Sequence, residues 1–329
     1  MTTDITSLQL SEAHELELEA EGSLEEYAGA SAGFYVVSSE GSANTRRAYA
    51  GDWKRFEAWC SKRRRVPLPA GVPTVVAFVT HLATTGKKLA TIQRHAAAIT
   101  KQHHLHDLPS PTDHRKFKTV LDGIAITLGR VQHQAPAFSL AYFKQCIIGI
   151  DVSHAAGLRD RTLLLLGLAG AFRREELSQV DLEHLRFDAE GLVVQLPRSK
   201  TNQKGDAEEK AIFFSPDRRT CPIRTLQDWV AVLRQDGHTS GPLFLSFFHK
   251  RLSRRRLTPV SINTIVRKHL KEPYTAHSLR ASFVTIAKLN GLDDSKVMNQ
   301  TKHKTTAMIR KYTRLDNVRQ HNAAQELGL

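Results

Sequence analysis

The most apolar stretch of the chain is the run LLLLGLAGAF from Leu163 to Phe172, and it limits what the chain can fold into. The run is shorter than the roughly 18 apolar residues that a membrane-spanning helix needs, and arginines flank it. An all-apolar helix of this length belongs in the core of a globular domain. With 329 residues, 41% of them apolar, the chain has enough material for two domains that each bury a core. We therefore expect a globular protein that is not bound to a membrane.

Charge is distributed very unevenly along the chain. Residues 1–41 contain nine carboxylates and no Lys or Arg, so the remaining 288 residues carry 47 basic and 24 acidic side chains, a net charge of +23. A surface this basic attracts polyanions, and phosphate contacts dominate the affinity for nucleic acids. We therefore expect a nucleic acid as the partner. The alternative is that the basic side chains serve only solubility.

The three cysteines, Cys60, Cys146 and Cys221, are far apart in the sequence and odd in number. They form neither a disulfide framework nor a CxxC metal site. The first residues contain no cationic segment followed by an apolar block, so an export signal is not expected. These features predict a cytoplasmic protein, associated with the nucleoid if the source is bacterial, and no metal or other cofactor is expected.

The first 131 residues divide into two parts. Residues 1–41 are acidic and rich in Gly, Ala and Ser, which predicts a disordered tail that either shields the basic body until DNA displaces it or has no role. Residues 42–131 show the period of four amphipathic helices separated by Pro/Gly breaks such as VPLPAGVP. This segment is predicted to be a helical bundle that binds DNA.

The rest of the chain is predicted to be a second, mixed domain. Residues 132–138 contain a proline and no clear period, so they are interpreted as a linker. Within 139–329, a helical block reaches Phe172, and the runs HLRF, GLVVQLP and KAIFFSP then predict a small antiparallel sheet. Helices return from Thr220 to the end, with an interruption near SGPLFLS. The expected fold class is therefore mainly α with a small antiparallel β-sheet.

Polar motifs follow these elements at positions that a core does not require. The motif AFRREEL places Arg173 directly after the apolar helix and Glu176 one turn later, and LPRSKTNQKG places Lys200 at the turn that leaves a strand. Singly, each of these residues is more typical of a solvated surface. Their chemical meaning depends on the motifs that follow.

Two further motifs lie near the end of the chain. TAHSLRASF places His277 and Arg280 at i and i+3, on one face of a helix. TKHKTTAMIRKYTR places His303 and Tyr312 nine residues apart among many cations. Such surroundings favour a phenolate over a phenol and attract phosphate.

Together and in this order, the motifs resemble those of the tyrosine recombinases, also called phage-type integrases, over about residues 43–320. The resemblance implies a helical, SAM-like core-binding domain followed by an α+β catalytic domain. Two positions depart from the pattern, since Ala171 and Lys302 stand where glycine is usual. The residues implied to be catalytic are Arg173, Lys200, His277, Arg280, His303 and Tyr312.

The resemblance also implies a role for each residue. Arg173 and Arg280 hold the scissile phosphate, because a guanidinium grips two oxygens and stays protonated. Glu176 is the buried partner of Arg173, and His303 donates a further hydrogen bond to the phosphate. Fixed donors of this kind stabilise the charge that develops on the phosphate oxygens without a metal.

The remaining roles concern the nucleophile and the protons. Tyr312 attacks the phosphorus and forms a 3′-phosphotyrosyl bond. Lys200 protonates the departing 5′-oxygen, and His277 accepts or relays a proton near the nucleophile. These last two roles come from the resemblance, because the residue types alone allow them to be exchanged.

Basic and polar residues outside these motifs are candidates for DNA contacts. The segment TIQRHAAAITKQ is predicted to be a helix that reads the major groove, and the basic runs are expected to contact phosphates, the alternative being ordinary solvation. The three histidines of HHLH lack a fourth ligand, so a structural or a DNA-facing role is expected for them rather than a metal site. The candidate DNA contacts are Arg46, Arg47, Lys87, Lys88, Thr91, Gln93, Arg94, His95, Arg254, Arg255 and Arg256.

The resemblance further implies double-stranded DNA as the partner, and four protomers that exchange strands between two DNA sites through a Holliday junction. The final segment NVRQHNAAQELGL has the apolar spacing of a helix that docks on a neighbouring protomer or packs on its own domain. Two alternatives stay open. A type IB topoisomerase would relax any plasmid without paired sites, and a DNA-binding protein without catalysis would be unaffected by Tyr312→Phe.

Overall fold

The computed structural model describes residues 43–129, 135–196, 208–249 and 251–310. The chain divides into two compact units, residues 1–132 and 133–329. The predicted acidic tail lies outside the described residues, as do residues 132–134 of the predicted linker.

The first unit is all helical in its described part. Its core is aromatic and aliphatic, with the rings of Phe56 and Phe78 5.0 Å apart and Ile92 and Ile99 fully buried beside them. The helices are α1 (Ala43–Lys62), α2 (Val72–Thr84), α3 (Leu89–Leu105) and α4 (Arg115–Leu128), with a 3₁₀ turn at Pro111–Asp113.

A buried histidine closes the loop between α1 and α2. His103 is fully buried, its Nδ1 lies 2.8 Å from the carbonyl oxygen of Ile99, and its Nε2 accepts a hydrogen bond of 2.9 Å from the backbone N–H of Ala70. Both ring nitrogens thus bind the backbone. The structural role expected for this histidine motif therefore applies to His103.

The second unit combines helices with two small antiparallel sheets. Its core includes the buried run Leu163–Leu166 and Trp229, whose indole N–H donates to the carbonyl oxygen of Leu243. The helices are α5 (Leu140–Ile148), α6 (Ala155–Ala169), α7 (Arg174–Ser178), α8 (Pro222–Gln235), α9 (Pro259–Leu270), α10 (Ala276–Leu289), α11 (Asp294–Thr301) and α12 (Thr306–Arg310). The strands are β1 (Leu185–Phe187), β2 (Gly191–Leu196), β3 (Glu208–Phe213), β4 (Leu245–Phe248) and β5 (Arg251–Arg256), with 3₁₀ turns at Leu182–His184 and Arg218–Thr220.

The apolar run that begins at Leu163 lies in a buried helix, as predicted. All residues from Thr162 to Leu168 are buried in α6, which packs against α8 and α10. No helix in the described ranges has both the length and the apolar character that a membrane span requires.

The predicted three-stranded sheet is present, with the order β1-β2-β3. Strand β2 pairs with both neighbours, and Lys210 of β3 lies opposite Val194. Alternation along β3 buries Lys210 and Ile212 and exposes Ala211 and Phe213. A mainly helical fold with a small antiparallel sheet is therefore confirmed.

One element differs from the prediction. Helices were expected from Thr220 onward with only an interruption near SGPLFLS, but residues 245–256 form the two-stranded hairpin β4–β5. Its second strand, RLSRRR, consists largely of arginine and serine. Strand propensity depends on packing against neighbours rather than on the residues alone, which is why composition failed to indicate this strand.

Candidate active site

Glu176 binds both the backbone N–H and the guanidinium of Arg173. Arg173 directly precedes α7, its backbone N–H donates to Oε2 of Glu176 at 3.0 Å, and its guanidinium forms an ion pair with Oε1. Burial alone would raise the pKa of Glu176, but Lys210 and Arg173 hold that pKa below its usual value. The carboxylate is therefore ionised at neutral pH and fixes Arg173 in one orientation.

Arg280 connects two turns of the backbone. Its side chain is buried in α10, Nη1 donates to the carbonyl oxygen of Ala171 at 2.8 Å, and Nη2 donates to the carbonyl oxygen of Thr301. Ala171 lies two residues before Arg173, and Thr301 lies two residues before His303. Arg280 therefore brings together the turns that carry the other two predicted phosphate contacts.

His303 is buried beside Thr301. The hydroxyl of Thr301 donates to the carbonyl oxygen of Val297 at 2.7 Å, so its oxygen accepts from Nδ1 of His303 at 3.0 Å. Burial, followed by the positive charges of Arg280, Arg173 and Lys210, lowers the pKa of His303 to about 3. In the protein without DNA the ring is thus neutral and carries its proton on Nδ1.

His277 faces a cleft of about 510 Å³ whose other lining residues include Arg173, Asn263 and Thr275. Packing of part of the ring against protein, with Arg280 and Arg173 nearby, lowers its pKa below the usual value. A neutral imidazole in an open cleft is a competent proton acceptor.

Both positions where the recombinase pattern has glycine adopt the left-handed conformation. The φ angle is 45° at Ala171 and 55° at Lys302, which ends α11. Each of these non-glycine residues costs about 1–2 kcal/mol relative to a right-handed conformation. The turns that position Arg173 and His303 thus keep the shape that glycine would favour, at some cost in stability.

Two predicted catalytic residues, Lys200 and Tyr312, lie outside the described residues. A lysine that was not predicted lies within the cluster instead. Lys210 of β3 is buried and its Nζ is 3.7 Å from Oε2 of Glu176. The signal in the sequence is strand alternation, which places Lys210 on the same face of β3 as Ile212 but does not give which face points inward.

The described cluster can bind an anion between fixed cations. Arg173 and Arg280 are held by Glu176 and by backbone carbonyls, so neither guanidinium needs to reorganise as charge develops on a phosphate. No group of three or more His, Cys, Asp or Glu within the described ranges could hold a metal ion.

The predicted DNA contacts of the first unit fall into two groups. Arg46, Arg47, Lys87, Lys88 and Gln93 are exposed and Thr91 is half-buried, so these stay predictions. His95 is only 3% exposed and its Nδ1 lies 2.9 Å from the carbonyl oxygen of Thr91. The prediction that His95 reads bases is therefore wrong, because it lies on the core face of α3.

Arg94 has a partner within the protein. Its guanidinium binds the buried carboxylate of Asp52 through Nε at 2.6 Å and Nη2 at 3.1 Å, and 45% of its side chain remains exposed. This ion pair joins α1 to α3. Arg94 contributes to the packing of the first unit whether or not it also contacts DNA.

The arginines of β5 differ in the same way. Arg256 donates to the carbonyl oxygen of Ser178 and pairs with Asp181 at 2.7 Å, and Arg254 donates to the carbonyl oxygen of Asp236. Arg255 is exposed. Arg255 is therefore the strongest candidate among the three for a phosphate contact.

Comparison with known proteins gives one family. Residues 145–319, more than half of the chain, match the model of the phage integrase family. The chain is 29% identical over 294 residues to an integrase/recombinase xerD homolog of Selenomonas ruminantium, with 86% of this chain and 85% of that protein covered.

Solved structures share the fold. The XerH site-specific recombinase bound to palindromic difH substrate superposes with a TM-score of 0.58 at 17% identity, over 85% of this chain and 79% of that chain. A lambda integrase tetramer bound to a Holliday junction superposes with a TM-score of 0.55 at 14% identity, over 84% and 74%. At such identities the likeness concerns the fold alone.

Proposed function

The chain belongs to the phage integrase family and is a tyrosine recombinase, and from this premise we propose that it cuts and rejoins DNA at specific sites through a 3′-phosphotyrosyl bond to Tyr312. The observation that carries the proposal is the convergence of Arg173, Arg280 and His303 through the turns at Ala171 and Thr301. These groups suit the scissile phosphate. Site-specific recombination is the activity of the family.

In the proposed cleavage step, the phenolic oxygen of Tyr312 attacks the phosphorus, and the bond from phosphorus to the 5′-oxygen breaks. The phenol loses a proton. His277 can accept that proton because its lowered pKa keeps the imidazole ring unprotonated at neutral pH. The 5′-oxygen gains a proton from Lys200. Religation reverses these steps with a new 5′-hydroxyl, so the bond energy is conserved and no cofactor is consumed.

His303 has a specific requirement in this scheme. Because Nδ1 donates to Thr301, a neutral ring has no proton on Nε2 with which to contact a phosphate oxygen. The negative charge of the phosphate raises the pKa of a neighbouring imidazole. We therefore expect His303 to take up a proton when DNA binds and then to donate from Nε2.

Arg173 and Arg280 need no such change. Both guanidiniums stay protonated at any working pH, so each is charged before DNA binds. The DNA duplex around the scissile phosphate is expected to be held by exposed cations such as Arg46, Lys87 and Arg255.

Strand exchange requires protomers on both sites, and the proposal includes a homo-tetramer on two DNA sites. A cavity of about 390 Å³ in the second unit is lined largely by apolar side chains, including Leu140, Phe143, Phe283 and Ile286. The 19 residues that follow Arg310 end in NVRQHNAAQELGL, whose apolar spacing suits a helix. We assign this segment of a neighbouring protomer as the occupant of the cavity.

This assembly has its own test. Deletion of residues 317–329 and the cavity variant Leu140→Asp should both reduce tetramer formation on paired sites, measured by analytical ultracentrifugation, while single-site DNA binding persists. If both variants form tetramers as wild type does, residues 317–329 have no part in the assembly.

Because a recombinase acts on DNA, the proposal places the protein in the cytoplasm, with the nucleoid if the source is bacterial.

The proposed chemistry is tested by trapping the covalent adduct on DNA. Nicked duplexes from the genomic flanks of the gene are incubated with wild-type protein, Tyr312→Phe and Arg173→Ala, and adducts are resolved under denaturing conditions. We expect an adduct on selected duplexes that both variants lose. Relaxation of unrelated plasmids would indicate a topoisomerase instead, and salt-sensitive binding without any adduct would contradict the proposed chemistry.

A further inference from the structure

Lys210 is the only lysine with a buried side chain within the described ranges, at 1% exposure. It lies on β3 and points into the second unit rather than to solvent. Burying an ammonium is costly, and a methionine would fill a similar volume without that cost. Its presence here therefore calls for a role that needs the charge.

The ammonium of Lys210 has one acceptor for each of its three protons. Nζ donates to the carbonyl oxygens of Gly170 at 2.7 Å, Ala171 at 3.2 Å and Gln300 at 3.0 Å. The ring of Phe172 covers the same nitrogen, with its centroid 4.9 Å away. With every proton donated to a carbonyl, Lys210 has none oriented toward a leaving oxygen.

The contacts of Lys210 reach two of the segments that carry predicted phosphate contacts, those of Arg173 and His303. Gly170 and Ala171 form the turn before Arg173, and Glu176, whose Oε2 is 3.7 Å from Nζ, holds the guanidinium of Arg173. Gln300 precedes the turn that leads to His303.

Arg280 binds the same two turns from the other side. It donates to the carbonyl oxygens of Ala171 and Thr301, whereas Lys210 donates to those of Ala171 and Gln300. The carbonyl of Ala171 is therefore shared by both cations. Lys210 thus fixes one of the two carbonyl groups to which Arg280 donates, that of Ala171, and the carbonyl group of Gln300, which directly precedes Thr301.

We propose that Lys210 is a positioning residue for DNA cleavage, which sets the geometry of Arg173 through Glu176 and the geometry of Arg280 and His303 through the carbonyl groups of residues 170, 171 and 300. The inference rests on the proposed function. It assigns to β3 a link to the site that is separate from the role of Lys200.

The charge of Lys210 is sensitive to pH. Burial lowers its pKa to about 7, and Glu176 opposes that change. The other charged or titratable groups that face it are Arg280 from α10, Arg173, Lys302 and His303. Below pH 7 the ammonium is present, and above it Glu176 loses one of its two cations.

The test compares adduct formation by wild-type protein, Lys210→Met and the control Lys296→Met, which removes an exposed lysine from α11. With saturating nicked duplex in single turnover, Lys210→Met should form the adduct about 10- to 100-fold more slowly, the range typical of groups that orient reacting ligands. The control should stay within about 2-fold of wild type. DNA affinity should be unchanged in Lys210→Met, because exposed cations supply it.

A pH profile separates positioning from packing. With DNA well below its dissociation constant, the profile reports the free protein. The ratio of the wild-type rate to the Lys210→Met rate should then decrease as pH rises from 6 to 9. Lys210→Arg, whose charge does not titrate in this range, should lack this decrease relative to Lys210→Met. If Lys210→Met does not fold, the ratio of the wild-type rate to the Lys210→Arg rate is the test, and it should decrease as pH rises from 6 to 9.

The outcomes are distinct. A Lys210→Met rate within about 2-fold of wild type, or a rate ratio that is constant with pH, overturns the positioning role while leaving the proposed function intact. Absence of any adduct with wild-type protein overturns the proposed function, and the positioning role falls with it.

Discussion

Each unit contains a buried carboxylate that binds arginine, but the two clusters differ in charge balance. In the first unit, Asp52 binds Arg94 and Arg55, whose side chains are 45% and 66% exposed. The residues lie on the regular helices α1 and α3. The positive charges therefore reach water, and the pair holds two helices together.

The cluster of the second unit has more cations than Asp or Glu can balance. Glu176 is flanked by Arg173 and Lys210, and Arg280 donates to the carbonyl oxygens of Ala171 and Thr301. This excess lowers the pKa of His277, His303 and Lys210, in addition to the effect of burial. The larger excess of positive charge in the second unit suits a bound phosphate, whereas the half-exposed guanidiniums at Asp52 suit packing between helices.

The largest effect that this comparison predicts concerns activity. Arg280→Met removes a donor fixed for the phosphate, so adduct formation should decrease by about 100- to 1,000-fold. The matched change Arg94→Met should leave the adduct rate per folded molecule within about 2-fold. Single-turnover adduct formation at saturating DNA measures both, and equal losses in the two variants would show that the clusters do not differ in function.

The next effect concerns the free energy of unfolding, which Arg94→Met should lower more than Arg280→Met does. Arg94→Met leaves the buried carboxylate of Asp52 with Arg55 as its remaining arginine, at 3.0 Å. Removal of one partner from a buried pair costs about 3 kcal/mol at the lower end of its range. Urea denaturation followed by the fluorescence of Trp53 and Trp59 should show this loss, and a loss below 1 kcal/mol would mean that the pair does not hold α1 to α3.

Acid should destabilise the second unit partly through His303. In the unfolded chain this histidine binds a proton near pH 6.5, whereas in the folded protein it does so only near pH 3. Between these values the unfolded state holds one more proton, so the free energy of unfolding falls by up to about 1.4 kcal/mol for each unit of decreasing pH.

The variant His303→Gln should therefore show a smaller loss of stability between pH 6.5 and pH 4 than wild type. The control His104→Gln changes an exposed histidine of α3 and should keep the wild-type dependence. Denaturant titrations at several pH values measure the slope. An identical slope in wild type and His303→Gln would contradict the buried, neutral state of His303.

The smallest effect compares the ends of two helices. Lys302 ends α11 with φ 55°, and Gly86 follows α2 with φ 76°. Lys302→Gly should raise the free energy of unfolding by about 1 kcal/mol, and Gly86→Lys should lower it by about the same amount. Thermal unfolding of both variants is the measurement, and a destabilised Lys302→Gly would mean that the lysine side chain contributes more than its backbone costs.

The motifs that carry predicted catalytic residues could be placed on helices and turns from the sequence because they are short, ordered and attached to predictable elements. The apolar run ending at Phe172 predicts where α6 ends, and Arg173 and Glu176 follow from it. The i, i+3 spacing likewise places His277 and Arg280 on one face of a helix even where the predicted bounds of α10 are inexact.

What failed were inferences that ignored side-chain direction or tertiary packing. The predicted base-reading face of α3 contained Thr91, Gln93, Arg94 and His95. Consecutive helical residues point in different directions, and His95 lies with Ile92 and Ile99 in the core. Lys210 was missed because a lysine in a strand is usually exposed. Its inward direction depends on the register of β3 against β2, which motif spacing does not give.

The measurement that tests the central claim most directly is identification of the residue that bears the nucleotide. Wild-type protein is trapped on the nicked duplex, the adduct is digested with nuclease and trypsin, and the modified peptide is sequenced by mass spectrometry. The account predicts one nucleotide phosphate, attached to Tyr312 through the 3′-phosphate. Attachment to any other residue, or at the 5′-phosphate, would contradict it.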